Sequence, residues 1–125
     1  MEWTHTHFRI LFDAYDSSNL PELLDRVEFH GAGGPVPADR WPALELKEAR
    51  TALLDLVRAG YVVLLHNGEV GKDEAVSAIQ EDAPWKNAMP GTPAYYEIGI
   101  TDEGGKAYAT DILPRYWPEG VVDDS

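Results

Sequence analysis

Four histidines, a glycine-rich run and several loop aromatics are the residues of this 125-residue chain whose types could do chemistry. His5 and His7 flank Thr6, and a His-x-His pair can hold a metal on extended backbone, with Glu2 as a third ligand. On a helix the two rings would lie on different faces, and residues so near a chain end are commonly loosely held, so no metal site is expected. His30 precedes Gly31 and suits a helix C-terminus, where a partly protonated imidazole favours the negative end of the dipole. His66 precedes the turn pair Asn67-Gly68, and neither it nor His30 has a spaced partner. Gly31-Ala32-Gly33-Gly34 suggests a phosphate loop. It follows a helical pattern, lacks the lysine and hydroxyl residue of a P-loop and runs into Pro35, which argues against a nucleotide site. No carboxylate pair is set apart from the general acidity, and no nucleophile motif accompanies the histidines. Neither an enzyme nor a cofactor is expected.

The aromatic residues carry more. Trp41, Trp85, Tyr95, Tyr116 and Trp117 lie in or beside loops and the tail, and each of the three tryptophans adjoins a proline. One role is to cover a small core, since tryptophan packs well while rarely burying completely. The other is an interface, because tryptophan and tyrosine dominate binding hot spots. Core covering is favoured for Trp41, and both roles stay open for Trp85 and Trp117. Trp85, Tyr95, Tyr116 and Trp117 are the candidate protein interface.

Charge limits the partners. With 22 acidic and 10 basic side chains the formal net charge is −12. Such a surface, on average, repels nucleic acid and anionic membranes. The absence of cysteine excludes a disulfide scaffold, a thiolate zinc site and a cysteine nucleophile. No apolar run approaches the ~18 residues of a membrane span, and the start Met1-Glu2-Trp3-Thr4-His5 does not read as a signal peptide. A cytoplasmic protein is expected. The length suits one domain over residues 1–125, with a core over 4–110 and an aromatic, acidic tail over 111–125.

The elements that must position these residues follow from periodicity. Phe8, Leu11, Phe12 and Tyr15 share one helical face, with Thr4 or Thr6 as cap. Leu20, Leu23, Leu24 and Val27 repeat the spacing, with Asn19 and Glu22 spaced as a capping box and Pro21 tolerated in the first turn. Gly31 is expected to end that second helix. Residues 31–42, with three glycines and three prolines besides Trp41, read as a long ordered loop. From Leu44 to Ala59 the pattern is strongest: Leu46, Ala49, Leu53, Leu56 and Val57 face one way, with Lys47, Glu48, Thr51, Asp55 and Arg58 opposite. Gly60 stops the helix, and Tyr61–Leu65 reads as a strand closed by Asn67-Gly68. A short helix over 73–80 would present Ala75, Val76 and Ile79, and Ala83–Pro93 reads as loop. Tyr96, Ile98 and Ile100 alternate as a second strand. Thr101-Asp102-Glu103 then opens a last helix, burying Ala107 and Tyr108 despite two glycines that weaken its first turn.

Two segments of that order carry a likeness. Leu53-Leu54-Asp55-Leu56-Val57-Arg58-Ala59-Gly60-Tyr61-Val62 is similar to a winged-helix recognition helix running into the first wing strand. Tyr95-Tyr96-Glu97-Ile98-Gly99-Ile100-Thr101-Asp102-Glu103-Gly104-Gly105-Lys106-Ala107-Tyr108 resembles the second wing strand and the Leu-Thr-x-x-Gly start of the following helix. The chain resembles MarR- and PadR-like bacterial regulators over about residues 44–110, and more loosely over 4–30. The likeness implies an α+β, winged-helix-like fold: three N-terminal helices, a two-stranded β-hairpin with a long insertion, and a C-terminal helix. The chain departs from the pattern in three ways. Its connection between the second and third helices is far longer than the usual 3–4 residues. Its wing is expanded to about residues 67–94. It also places few basic residues on the third helix and wing.

Taken by segment, residues 1–38 carry two basic and six acidic groups, 59–92 two and five, and 93–125 two and seven. Residues 39–58 carry four of each, so the candidate reading helix is the least acidic part of the chain. Its cations alternate with Glu48 and Asp55, spaced to compensate one another, and Lys72 adjoins Asp73 and Glu74. Phosphate binding relies on several unneutralised cations. The favoured reading is therefore an acidic protein-interaction or regulatory module, of the antitoxin, immunity or anti-regulator kind, that binds a basic partner. The alternative is a dimeric DNA-binding transcription regulator using Lys47, Thr51, Arg58 and Lys72.

Overall fold

The computed structural model describes residues 3–15, 17–24, 30–31, 34–35 and 44–112. The chain is α+β. Helix α1 (His5–Tyr15) is followed by a single 3₁₀ turn over Pro21–Leu24, and by a two-residue ladder pairing β1 (His30–Gly31) with β2 (Gly34–Pro35). Then come α2 (Leu46–Ala59), β3 (Val62–Leu65), α3 (Lys72–Gln80), the one-turn α4 (Ala83–Lys86), β4 (Glu97–Ile100) and α5 (Asp102–Ala107), which runs into a π turn over Tyr108–Ile112. Strands β3 and β4 pair antiparallel, Val62 opposite Ile100 and Leu65 opposite Glu97. On the far side of β4, Asn19 bridges to Glu97, and Ile98 N–H donates to the Ser18 carbonyl at 2.8 Å.

Helix α1 lies inside the fold. The spacing predicted a single apolar face ending at Tyr15, but Tyr15 is 63% exposed while Ile10 is fully buried beside Phe8, Leu11 and Ala14. The flank carrying His7, Arg9 and Asp13 is buried as well. Burying charge is costly unless it is paired. Arg9 Nε donates to Asp13 Oδ2 at 3.0 Å, one turn along, and Arg9 Nη2 donates to the Glu22 carbonyl at 3.2 Å, tying α1 to the 3₁₀ turn. At the helix start Thr4 and His7 form a reciprocal cap. Thr4 Oγ1 accepts from His7 N–H at 3.3 Å, and His7 Nδ1 accepts from Thr4 N–H at 3.1 Å. With Nδ1 accepting, Nε2 carries the ring proton and faces Asp55 Oδ2 of α2 at 3.4 Å.

Helix α2 follows its predicted face. Ala49, Ala52, Leu53, Leu56 and Val57 are buried, and Gly60 adopts φ 84° to cap the helix through bonds to the Leu56 and Val57 carbonyls. Where a second helix was expected, the described residues show a single 3₁₀ turn at Pro21–Leu24, with Asn19 Oδ1 accepting from Glu22 N–H at 3.0 Å, and His30–Gly31, expected to end that helix, pair as a strand instead; residues 25–29 lie outside the described residues. Trp41 also lies outside them. The expected loop at 83–93 instead opens with α4, because Pro84 fits a first helical turn and Trp85 finds a buried place.

The two glycines that weaken α5 have different reasons. Thr101 Oγ1 accepts from Gly104 N–H at 3.0 Å and donates to the Gly60 carbonyl at 2.7 Å, while Thr101 N–H donates to the Tyr61 carbonyl at 3.1 Å. This clasp presses the first turn of α5 onto the α2–β3 corner. A Cβ on Gly104 would stand 2.0 Å from the Tyr61 carbonyl oxygen, whereas one on Gly105 would meet nothing within 4 Å. Gly104→Ala is therefore expected to cost about 1–3 kcal/mol by overpacking. Gly105→Ala is expected to gain about 0.5–1 kcal/mol of helix stability. Urea denaturation of the two variants checks this, and equal losses would contradict it. Arg9→Ala, which strands Asp13 in the interior, is expected to lower stability by about 3–5 kcal/mol in the same assay.

Candidate functional site

The four predicted nucleic-acid residues do come together. Lys47, Thr51 and Arg58 stand at i, i+4 and i+11 on α2, which places them on one exposed stripe, and Lys72 at the start of α3 reaches its end. Two of the four are engaged locally: Thr51 Oγ1 donates to the Lys47 carbonyl at 3.0 Å, and Lys72 Nζ donates to the Arg58 carbonyl at 3.3 Å. The latter contact puts a cation at the negative end of α2. The expected compensation by Asp55 takes another form, since its carboxylate faces His7 across the α1–α2 contact. Lys47 and Arg58 make no ion pair among the described residues.

Arg50 was not singled out from the sequence, and it organises the other side of α2. Its Nε donates to the Ile79 carbonyl at 2.9 Å and its Nη2 to Asp82 Oδ1 at 2.9 Å, so it caps the C-terminal end of α3. The same Ile79 carbonyl accepts from Trp85 Nε1 at 2.8 Å. Trp85 is only 2% exposed. Of its two predicted roles it takes core covering, and the expectation of a surface contact there is corrected. Its ring fills the corner between the insertion and the core, and its one polar atom is satisfied inside. Tyr116 and Trp117 lie outside the described residues.

Tyr95 is half-buried and stands at a different feature. A cleft of about 630 Å³ opens beyond the end of the β3–β4 ladder, lined by Leu65 and His66 on one side, Pro90 and Pro93 on the other, and by Tyr95 and Glu97. The Asn67-Gly68 turn beside it has φ of 56° and 116°, conformations that asparagine and glycine tolerate best. His66 N–H closes this turn onto the Gly68 carbonyl at 2.8 Å. The imidazole is held twice over: Nδ1 donates to the Tyr95 carbonyl at 2.8 Å, and the ring stacks on Tyr96 with centroids 4.9 Å apart. His66 was noted in the sequence only as a residue before a turn. The partner that gives it meaning is contributed by a segment 29 residues away.

Burial raises the pKa of Tyr95 above 10.0; the adjacent Glu97, as acceptor and as charge, adds to this, and Asn19 opposes it. Tyr96 is raised first by burial and then by Glu74 and Glu81. Both phenols thus favour their protonated form in the folded state. Among the described residues no three His, Asp or Glu side chains converge as a metal site, and no helix is long and apolar enough to cross a membrane.

Comparison with protein-family models, with curated proteins and with solved structures finds no match.

A pH dependence follows from the two tyrosines. A pKa raised on folding contributes stability that is present below the unfolded value of 10.0 and lost as pH rises through the folded value. Denaturation midpoints should therefore fall as pH climbs past 10.0. In a Tyr95→Phe, Tyr96→Phe double variant that fall should be shallower, and an unchanged slope would refute the assignment.

Proposed function

We propose that this chain is an acidic winged-helix-like module that works through contacts with a basic protein partner. The topology supports the first half of this reading. Helix α1, helix α2 and strands β3 and β4 follow one another in the order the resemblance implies, with a 3₁₀ turn at Pro21–Leu24 where it implies a second helix. The bridge at Asn19 lies on β4 and not on β3, giving the spatial order Asn19, β4, β3. In this reading α2 is the third helix and the segment 66–96 is an enlarged wing containing α3 and α4.

The observation that carries the second half is how the cations are used. Arg9 is buried against Asp13, Arg50 is spent on α3 and Asp82, and Lys72 sits on a helix carbonyl. Lys106 lies 3.9 Å from Glu103. Among the described cations that leaves Lys47, Arg58 and Lys86 with neither ion pair nor hydrogen bond to the described residues, in a chain of net charge −12. A surface of that kind speeds encounter with basic proteins and disfavours acidic competitors. The partner class is a nuclease or regulator whose own nucleic-acid surface would be masked.

DNA recognition by a dimer is the second reading, favoured by the shared stripe of Lys47, Thr51 and Arg58. Two such stripes brought together would concentrate the cations that one chain lacks. The readings separate in one pair of experiments. Affinity capture from native lysate should retain a discrete set of basic proteins at low salt and release them at high salt. Fluorescence anisotropy with genomic fragments should show no salt-sensitive binding. Captured proteins with the charge distribution of the lysate would sink the first reading. DNA binding lost in a Lys47→Glu, Arg58→Glu variant would establish the second.

A further inference from the structure

The cleft beyond the β3–β4 ladder carries one carboxylate and one imidazole on its walls. Glu97 is the carboxylate among its lining residues, which include no lysine or arginine. It is half-buried, has the Tyr95 hydroxyl as a neighbouring neutral donor, and makes no ion pair with the described residues. In the same cleft, His66 donates through Nδ1, so in its neutral form the lone pair sits on Nε2, for which the described residues supply no donor. The stack on Tyr96 fixes the plane of that ring.

The opposite wall is fixed by hydrogen bonds of its own. Thr92 Oγ1 donates to the Met89 carbonyl at 2.8 Å and accepts from Asn87 Nδ2, and Tyr95 N–H donates to the Thr92 carbonyl at 3.1 Å. Prolines 90 and 93 stiffen the segment between these bonds. The cleft is thus preorganised, open at one side, and complementary to a flat cation with several donors. A guanidinium meets that description better than an ammonium does. It can pair with a carboxylate through two parallel bonds, keep further N–H groups for a second acceptor, and lie against an aromatic wall such as Tyr95.

We propose that this cleft receives an arginine side chain of a basic protein partner, with Glu97 pairing the guanidinium and His66 Nε2 accepting a further hydrogen bond. The source of the arginine rests on the protein-interaction reading above; the guanidinium site rests on the cleft alone. Lining residues come from the start and the end of the enlarged wing, so occupancy would tie the two together.

The test uses the full chain, labelled with ¹⁵N and titrated with N-acetyl-arginine amide. Saturable amide shifts are expected at His66, Asn67, Gly68 and Glu97, and Glu97→Gln should weaken binding by about tenfold or more. N-acetyl-citrulline amide, which keeps the shape and removes the charge, should give no saturable shift. Equal responses to the citrulline or lysine amide, shifts spread over the acidic surface without saturation, or unchanged binding by Glu97→Gln would overturn the site. The citrulline comparison on the unaltered chain stands even if the variant folds poorly. Proteins captured from lysate separate the two layers. Capture that survives Glu97→Gln, with arginine-amide binding lost, removes the partner's arginine from the cleft and leaves the interaction reading intact. Saturable arginine-amide binding without any captured partner removes the interaction reading and leaves the guanidinium site.

Discussion

Helix α1 is buried on its polar flank as well as its apolar one, and the rest of the fold is arranged around that constraint. A helix with Arg9 and Asp13 in the interior is stabilised because the two side chains meet one turn apart and Arg9 Nη2 finds a backbone carbonyl. That carbonyl belongs to Glu22, so the ion pair also sets where the 3₁₀ turn lies and how Leu20 and Leu23 enter the core. The Thr4–His7 cap does comparable work at the other end, because the same imidazole that completes the cap reaches Asp55 of α2. Two polar contacts therefore fix α1 against the elements before and after the long connection.

The second organising contact is the clasp at Thr101. One hydroxyl caps α5 and holds the Gly60 carbonyl, so the end of α2, the start of β3 and the end of β4 are locked at a single corner. Antiparallel pairing fixes Leu65 opposite Glu97, and the chain between them must leave and return at the same place. It fills the interval with α3 and α4, anchored by Arg50 and Trp85 on one carbonyl of Ile79. The cleft lies where the two ends of that excursion face each other. It follows from inserting a folded segment into a hairpin whose ladder is only four residues long.

Much of this could be read before any coordinates. Strong periodicity located α2, and Gly60 and Asn67-Gly68 located the corners around β3, because those signals depend on local backbone preference. Tyr15 misled because α1 is buried around more of its circumference than a surface helix would be, and an i, i+3, i+4, i+7 pattern cannot reveal a buried ion pair on the other flank. Trp85 stays between two roles on sequence alone because only the position of Ile79 decides between them. His66, Tyr95 and Glu97 could not be joined by spacing: register between β3 and β4 brings them together, and register is a long-range property. The Thr101-x-x-Gly104 pattern was visible as a likeness, and its cause is now physical, a cap at one end and a carbonyl at van der Waals limits at the other.

Net charge by itself says little about where a partner binds. Electrostatic steering acts over about a Debye length and brings a basic protein to any acidic face alike. Specificity needs a place where a cation loses water and gains fixed acceptors, since exposed pairs contribute little. The α2 stripe offers cations to an acidic ligand, but its neighbours Glu48 and Asp55 dilute the field, and Lys72 is held by the helix end. The cleft offers the reverse. It holds in one lining a half-buried carboxylate and an imidazole whose orientation is fixed by both a hydrogen bond and a stack. In a chain this acidic, general attraction and a local cation site then work in the same direction, whereas DNA binding would have to overcome the first in order to use α2.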